Sequence, residues 1–236
     1  MPLNDISDAW IDAFLDTRDD AQTVIEAGFA ASLLSAGSRV LDLACGYGRH
    51  ASVLTALGLQ VVGLDRDARM LARAGRTCPV VQAEMRQLPF AVESFDAVTS
   101  FWQSFGYFSD DENLAMLRDL WGIVRPGGVL LLDLYNREFF ETIPAGREFT
   151  RGGILVREAT SLINDRLRVR LTYNNGAECD DFEWQVFTPR TLCDAAVATG
   201  WVVSGIHSDF DRSKTPGHGA PRVQYVLSRP GTKSVT

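Results

Sequence analysis

Three carboxylates stand at or near the ends of three successive apolar runs, and they are the first residues whose chemistry asks for a ligand. Asp42 interrupts Val40-Leu41-Asp42-Leu43, Asp65 follows Gln60-Val61-Val62-Gly63-Leu64, and Glu84 follows the run from Pro79 to Ala83. Just after Asp42 comes Ala44-Cys45-Gly46-Tyr47-Gly48, whose small residues let a ligand approach the backbone. A carboxylate four residues before Gly46 suits a cationic amino-acid end. A carboxylate at the tip of the second run, some twenty residues on, suits the two hydroxyls of a ribose. A dinucleotide site fits less well: Ala51 stands where its third glycine is needed, and a negative charge beside a pyrophosphate is unfavourable.

The elements that must position these groups are legible from spacing. Val40 to Leu43 reads as a buried strand, and Ala51, Val53, Leu54 and Leu57 recur at helical spacing after Arg49. A strand, a glycine turn and a helix N-terminus together form a nucleotide-type site. Ala68, Met70, Leu71 and Ala74 give the next helix its apolar face, and Phe95 to Phe101 reads as a fourth strand.

The stretch VLDLACGYGRH resembles motif I of the class I S-adenosylmethionine-dependent methyltransferases, an acidic residue followed by x-G-x-G-x-G, with Ala44 in the place of the first glycine. The resemblance covers residues 38 to 136 well and the rest weakly. It implies a doubly wound α/β fold of the Rossmann-like methyltransferase type, with a mostly parallel seven-stranded sheet. It also implies a cofactor, S-adenosyl-L-methionine, which leaves as S-adenosyl-L-homocysteine. Asp42, Ala44, Cys45, Gly46, Gly48, Asp65 and Arg66 would then bind that cofactor. Glu84 would accept from the adenine amino group, with Met85 beneath the ring.

The second informative stretch is Trp102-Gln103-Ser104-Phe105-Gly106-Tyr107-Phe108, four aromatics in a segment that should be a loop. It lies beyond a strand's carboxyl end, where an open α/β sheet holds its ligand. It resembles the FD-x-V…SFGYF pattern of a bacterial small-molecule methyltransferase subfamily. That resemblance implies Phe101 and Gln103 on the cofactor side, and Phe105, Tyr107 and Phe108 on the substrate side with Tyr135. The implied reaction is methyl transfer to a nitrogen or oxygen of a small-molecule acceptor. Alternatives are an RNA or protein methyltransferase on the same fold, or a binding protein without methyl transfer. The Asn-Pro-Pro-Tyr type motif of enzymes acting on DNA bases is absent. The sulfonium donor is already activated, so a dedicated base is not required. His50, His207 and His218 are the imidazoles within reach, none singled out as catalytic.

The remaining features frame the site. The 236 residues suit one domain, with 1–37 as an N-terminal helical lid and 38–136 as a cofactor-binding core. Ser7 and Asp8 are candidate caps for a helix carrying Trp10, Ile11, Phe14 and Leu15. A charged break at Arg18-Asp19-Asp20 precedes a second helix with Val24, Ile25, Phe29, Leu33 and Leu34 on its apolar face. Asp110 and Asp111 are expected to cap a helix that ends at Arg125-Pro126-Gly127-Gly128 before a strand from Val129 to Leu134. An antiparallel β insertion over the substrate pocket is expected at 146–187, with β segments at 154–156, 167–173 and 182–187 and turns at Asn164-Asp165 and Asn174-Asn175-Gly176. Strands at 201–206 and 222–227 follow, and the tail from Pro230 should fray.

A net charge of -7 with no basic cluster disfavours a nucleic-acid partner. No apolar run approaches membrane-spanning length, and the first ten residues do not read as a secretory signal. The four cysteines show no metal-ligand spacing, so no metal is expected and a cytoplasmic, reduced protein is, as a monomer or homodimer.

Overall fold

The structure is a computed structural model that describes residues 3–15 and 19–231. The expected break at Arg18 and most of the expected frayed tail lie outside the described residues. Seven strands form one sheet: β1 (Arg39–Leu43), β2 (Gln60–Asp65), β3 (Val80–Gln82), β4 (Phe95–Ser100), β5 (Val124–Tyr135), β10 (Val202–His207) and β11 (Arg222–Ser228). Their order is β10-β11-β5-β4-β1-β2-β3, and β11 runs antiparallel to both neighbours while the other pairs are parallel. The order reverses at β1, which has β2 on one side and β4 on the other, so a crevice opens beyond their carboxyl ends.

Helices cover both faces. On one face α2 (Asp20–Ala31) and α3 (Arg49–Ala56) pack through Ala27, Phe29, Ala51 and Leu54 onto Val40, Val61 and Ala97. On the other, α5 (Asp110–Ile123) and α7 (Pro189–Ala198) pack Leu117, Leu120 and Leu192 onto Leu41, Val98 and Leu130. Between β2 and β3 runs α4 (Ala68–Ala74). Strands buried on both faces explain why these runs carry almost no alternation.

Several boundaries differ from the sequence reading. The cap of α5 is Ser109, in a reciprocal bond with Glu112, and Asp110 and Asp111 fall in the first turn instead. The helix stops at Ile123 and β5 already starts at Val124, so Arg125 to Gly128 lies within the strand, irregular where it passes β4. On α2 the apolar stripe is rotated: Val24 and Ile25 are about half exposed, while Thr23, Glu26, Ala27 and Phe29 face inward.

The insertion is a second sheet of four antiparallel strands in chain order, one more than the sequence pattern showed: β6 (Gly146–Arg151), β7 (Ile154–Ile163), β8 (Arg166–Tyr173) and β9 (Glu178–Gln185). Asn164-Asp165 is a two-residue turn, whereas Asn174–Gly176 forms a short 3-10 turn. The short helix α1 (Asp8–Trp10), capped by Ser7, continues into a π-helical turn, Ile11–Leu15. Trp10 and Phe14 pack there with the inner face of this second sheet. Another short helix, α6 (Arg137–Phe140), leads from β5 into it.

Candidate functional site

The turn after β1 is held in an unusual backbone. Ala44, Gly46 and Gly48 all have left-handed φ, at 57°, 56° and 80°. For Ala44 that conformation costs about 1–2 kcal/mol, the consequence of an alanine in the first glycine's place. The two glycines serve different ends. A Cβ on Gly48 would sit 2.9 Å from the Ala74 Cβ, so this glycine lets α3 meet α4. A Cβ on Gly46 meets no atom within 4 Å; it faces open space above the strand ends. Cys45 is a packing residue under the turn: a Cβ on Gly63 would lie 2.7 Å from its sulfur, and burial raises its thiol pKa.

Asp65 braces the same turn, accepting from Gly46 N at 2.8 Å and from Asp67 N at 2.9 Å. Burial raises its carboxyl despite those bonds. Asp42 lies deeper, 1 % exposed, with Thr99 Oγ1 3.3 Å from its Oδ1. Burial pushes it up to about 7, and its Oδ2 has no hydrogen-bond partner among the described residues. Glu84 Oε1 is likewise buried without a partner, while Met85 beside it is in the main core.

Arg49, the first residue of α3, completes the turn. Its Nη1 is shared between Glu26 Oε2 at 3.0 Å and Thr23 Oγ1 at 2.7 Å. Its Nη2 is buried with no hydrogen-bond partner among the described residues. An unpaired buried donor and an unpaired buried acceptor thus flank one glycine turn. Each is costly in a folded protein unless a ligand completes it.

Behind Arg49 lies a charge cluster that sequence reasoning missed. Glu26, fully buried on α2, accepts from Arg49, from Trp102 Nε1 at 2.8 Å and from Arg222 Nη2 at 2.9 Å, and His50 Nε2 lies 2.7 Å away. Burial alone would raise its carboxyl, but the His50 bond and the Arg222 and Arg49 charges hold it far below the usual range. Arg222 also pairs with Asp133 at the end of β5, which accepts from Trp102 N at 2.9 Å and Gln224 Nε2 at 2.8 Å. Inside the helix, Glu26 looks like a solvent-facing charge, and nothing in the sequence around it signals otherwise.

The loop after β4 is divided between packing and the crevice. Trp102 and Gln103 both have φ of 58°, a conformation bulky residues rarely adopt. Phe101 is buried with its ring 3.9 Å from that of His50, on the side covered by α2 and α3. Gln103 is buried, donating to Phe105 O at 2.9 Å and accepting from Tyr135 N, which splices the loop to β5. Phe105 is fully buried in the main core beside Phe187, so its ring packs rather than lining an accessible surface. Phe108 is half-buried under the Arg86 guanidinium, 4.2 Å from its ring centre.

Tyr107 and Tyr135 meet the insertion. Both are half-buried, with centroids 5.7 and 5.6 Å from Trp184 of β9, and Tyr135 also lies 5.0 Å from Phe140. Burial pushes the Tyr107 hydroxyl up to about 12, so it stays a neutral donor and acceptor. Arg66 reaches away from Asp65 to Asp5 Oδ1 at 2.7 Å, and Arg69 to Asp8 at 3.2 Å. On the other side Ser7 is fastened to Asp180 of β9 at 2.8 Å. His207 packs edge-on to Phe29, and His218 is exposed near Glu138, so neither stands in the crevice with the strand-end carboxylates. No group of metal-ligating side chains occurs among the described residues, nor any helix long and apolar enough to cross a membrane.

Comparison with known proteins fits this geometry. Residues 40–128 match the family model described as methyltransferase domain. Demethylmenaquinone methyltransferase of Mycobacterium sp. (strain KMS) is 40 % identical over 104 residues, 44 % of each chain. The chain therefore spans less than half the length of the curated relatives it matches. Among solved structures, the CcbJ methyltransferase from Streptomyces caelestis superposes with a TM-score of 0.82 at 19 % identity, covering 94 % of this chain and 96 % of that one. The sugar N-methyltransferase KedS8 from Streptoalloteichus sp. gives 0.72 at 22 %, covering 98 % and 95 %. Those two likenesses concern the fold. The matched segment, which holds β1 to β4 and the glycine turn, is thus similar to a methyltransferase domain.

Proposed function

We propose that the protein binds S-adenosylmethionine beyond the ends of β1, β2 and β4 and transfers its methyl group to a nitrogen or oxygen of a small molecule. The observation that carries this reading is the pair of buried, unpaired groups at the glycine turn. Asp42 Oδ2 is an acceptor and Arg49 Nη2 a donor, which together suit the ammonium and carboxylate of an α-amino acid. Glu84 Oε1, an unpaired acceptor at the third strand, suits the adenine amino group. Asp65 stands between them at the second strand end, where a ribose would lie.

When bound, the cofactor supplies an activated methyl on a sulfonium. The chain's own task is then to orient and to exclude water. Asp42, Arg49, Asp65 and Glu84 fix the cofactor, and the Tyr107–Tyr135–Trp184 rings form the wall against which the acceptor is placed. Tyr107, neutral at working pH, orients an acceptor amine or hydroxyl. The segment 4–15 acts as a lid, since Arg66 and Arg69 tie it to the ribose side and Asp180 ties it to the insertion. An amine is the favoured acceptor, in keeping with the sugar N-methyltransferase of the same fold.

Calorimetric titration with S-adenosylmethionine and S-adenosylhomocysteine, with NAD as control, tests the reading on wild type and Asp65→Ala. Micromolar binding of the adenosyl ligands, lost in the variant, is expected. Binding of NAD alone, or of none of the three, would overturn it. An amine and alcohol acceptor panel with S-adenosylhomocysteine release as readout then decides between nitrogen and oxygen.

A further inference from the structure

We propose that Glu26 and Arg222 are positioning residues for the amino-acid end of the cofactor, acting through Arg49 and Trp102. This rests on the cofactor reading above and extends it to two residues on elements that carry no part of the glycine turn. Glu26 is on α2 and Arg222 on β11, and their bond joins positions 196 residues apart.

The geometry is that of a frame. Glu26 takes one arm of Arg49, the indole N–H of Trp102 and one arm of Arg222. The second arm of Arg222 goes to Asp133, whose carboxylate also takes the Trp102 backbone N–H. The Trp102 ring lies against two guanidinium groups, 4.9 Å from Arg49 and 4.4 Å from Arg222. Each partner therefore has its direction fixed by at least two others, and Trp102, whose backbone is left-handed, is held at both its indole and its backbone N–H.

Arg49 gains most from that frame. Its side chain is 8 % exposed and its Nη1 is committed to Glu26 and Thr23, which leaves Nη2 buried with no hydrogen-bond partner among the described residues. Without Glu26 the guanidinium would lose the partner that sets its rotation. Arg222 keeps Glu26 from collapsing fully onto Arg49, because the carboxylate is shared between two cations.

Stability alone gives a weak reason for such a cluster. Desolvating two carboxylates and two guanidiniums is costly, and well-packed apolar residues of the same volume usually do as well or better. A preorganised cation with one donor held open for a carboxylate gives it a use.

The experiment separates framing from folding by comparing two ligands on the full chain by calorimetry. S-adenosylhomocysteine carries the amino-acid end; 5′-methylthioadenosine lacks it. In Glu26→Gln, S-adenosylhomocysteine binding should weaken about tenfold or more while 5′-methylthioadenosine changes less than about twofold. Arg222→Lys, which keeps the charge and loses the two-armed bridge, should shift the same ratio in the same direction. It decides the matter should Glu26→Gln not fold. Equal weakening of both ligands, or no change in either, would overturn the inference and leave the cofactor assignment standing. Failure of wild type to bind either ligand would overturn both.

Discussion

Two aspartates, each 1 % exposed, divide the molecule into two kinds of region. Asp180, in the four-stranded insertion, is surrounded by donors: Ser7 N at 3.2 Å, Ser7 Oγ at 2.8 Å and Tyr173 OH at 2.8 Å. Asp42, beside the glycine turn, has one weak hydroxyl contact and an oxygen with no partner among the described residues. Buried carboxylates are tolerated when their bonds are complete. The insertion obeys that rule and the glycine turn breaks it. The proposed cofactor would complete the oxygen that the fold leaves open there.

That contrast has a sign that stability measurements can read. Burial pushes Asp42 up to about 7 in the folded state, against the ordinary aspartate value of 3.8. A folded value above the unfolded one means the folded state holds the proton longer, so stability falls as pH rises from about 4 to about 7 and stays low above that. Asp42→Asn should therefore stabilise the ligand-free protein at pH 8 by up to roughly 4 kcal/mol, with almost no effect at pH 4. It should abolish S-adenosylhomocysteine binding at the same time. Urea midpoints across that pH range check the first effect and calorimetry the second. Destabilisation at pH 8 would put Asp42 in the same class as Asp180.

Asp180→Ala should behave in the opposite way. It strands three donors, Tyr173 OH among them, and should cost about 2–4 kcal/mol. The segment from Asn4 to Ser7 would lose its Ser7 anchor on β9, keeping only the Asn4 bonds to Asp181 and Glu183, and should become the first site of proteolytic cleavage. Unchanged stability with an uncut N-terminal segment would remove the distinction between the two regions.

The glycine turn offers a finer version of the same comparison within five residues. Alanine at either glycine meets the left-handed penalty, about 1–2 kcal/mol. At Gly48 the added carbon also strikes Ala74, so that variant should lose about 1–3 kcal/mol more in a thermal melt. At Gly46 nothing is struck, and the loss should appear instead in ligand binding. Unchanged ligand binding in Gly46→Ala would mean that the space above Gly46 has no ligand to hold.

These contrasts also mark how far the sequence could be read. The central strands β1, β2 and β4 were legible because buried parallel strands are continuous apolar runs, whereas the count of seven strands came from the family resemblance as much as from pattern. The four-stranded sheet was legible in part. Leu167, Val169, Leu171 and Tyr173 alternate, but Gly146–Arg151 has one apolar residue, Phe149, and pairs through its backbone with β7. The aromatic loop was legible as a group, though its rings look alike in sequence while Phe105 is core and Tyr107 is half-buried. Glu26 and Arg222 were illegible, since a charge in a helix and a charge in a strand carry no sign that they touch. Local pattern shows which residues face a strand end. It does not show which distant charge makes that strand end incomplete.

The smallest effect belongs to the charges of the insertion's outer face. Glu148 and Arg157, Arg168 and Glu183, and Arg170 and Asp181 are direct cross-strand partners there, and each pair is in ionic contact. Their number invites the view that they hold the sheet together. Their setting argues otherwise: the Arg168 side chain is 65 % exposed, where water and salt screen most of the attraction. Arg168→Ala should cost less than about 1 kcal/mol, a shift of only about 2–4 °C in melting temperature for a chain of this size, and less still in 0.5 M salt. What the pairs supply is register, since a one-residue slip of β9 against β8 would set Phe182 and Trp184 outward and the acids inward. A loss of several kcal/mol from that one exposed arginine would show that surface charge holds the insertion. The small loss expected leaves that task to the ring cluster on its inner face, the face that meets Tyr107 and Tyr135.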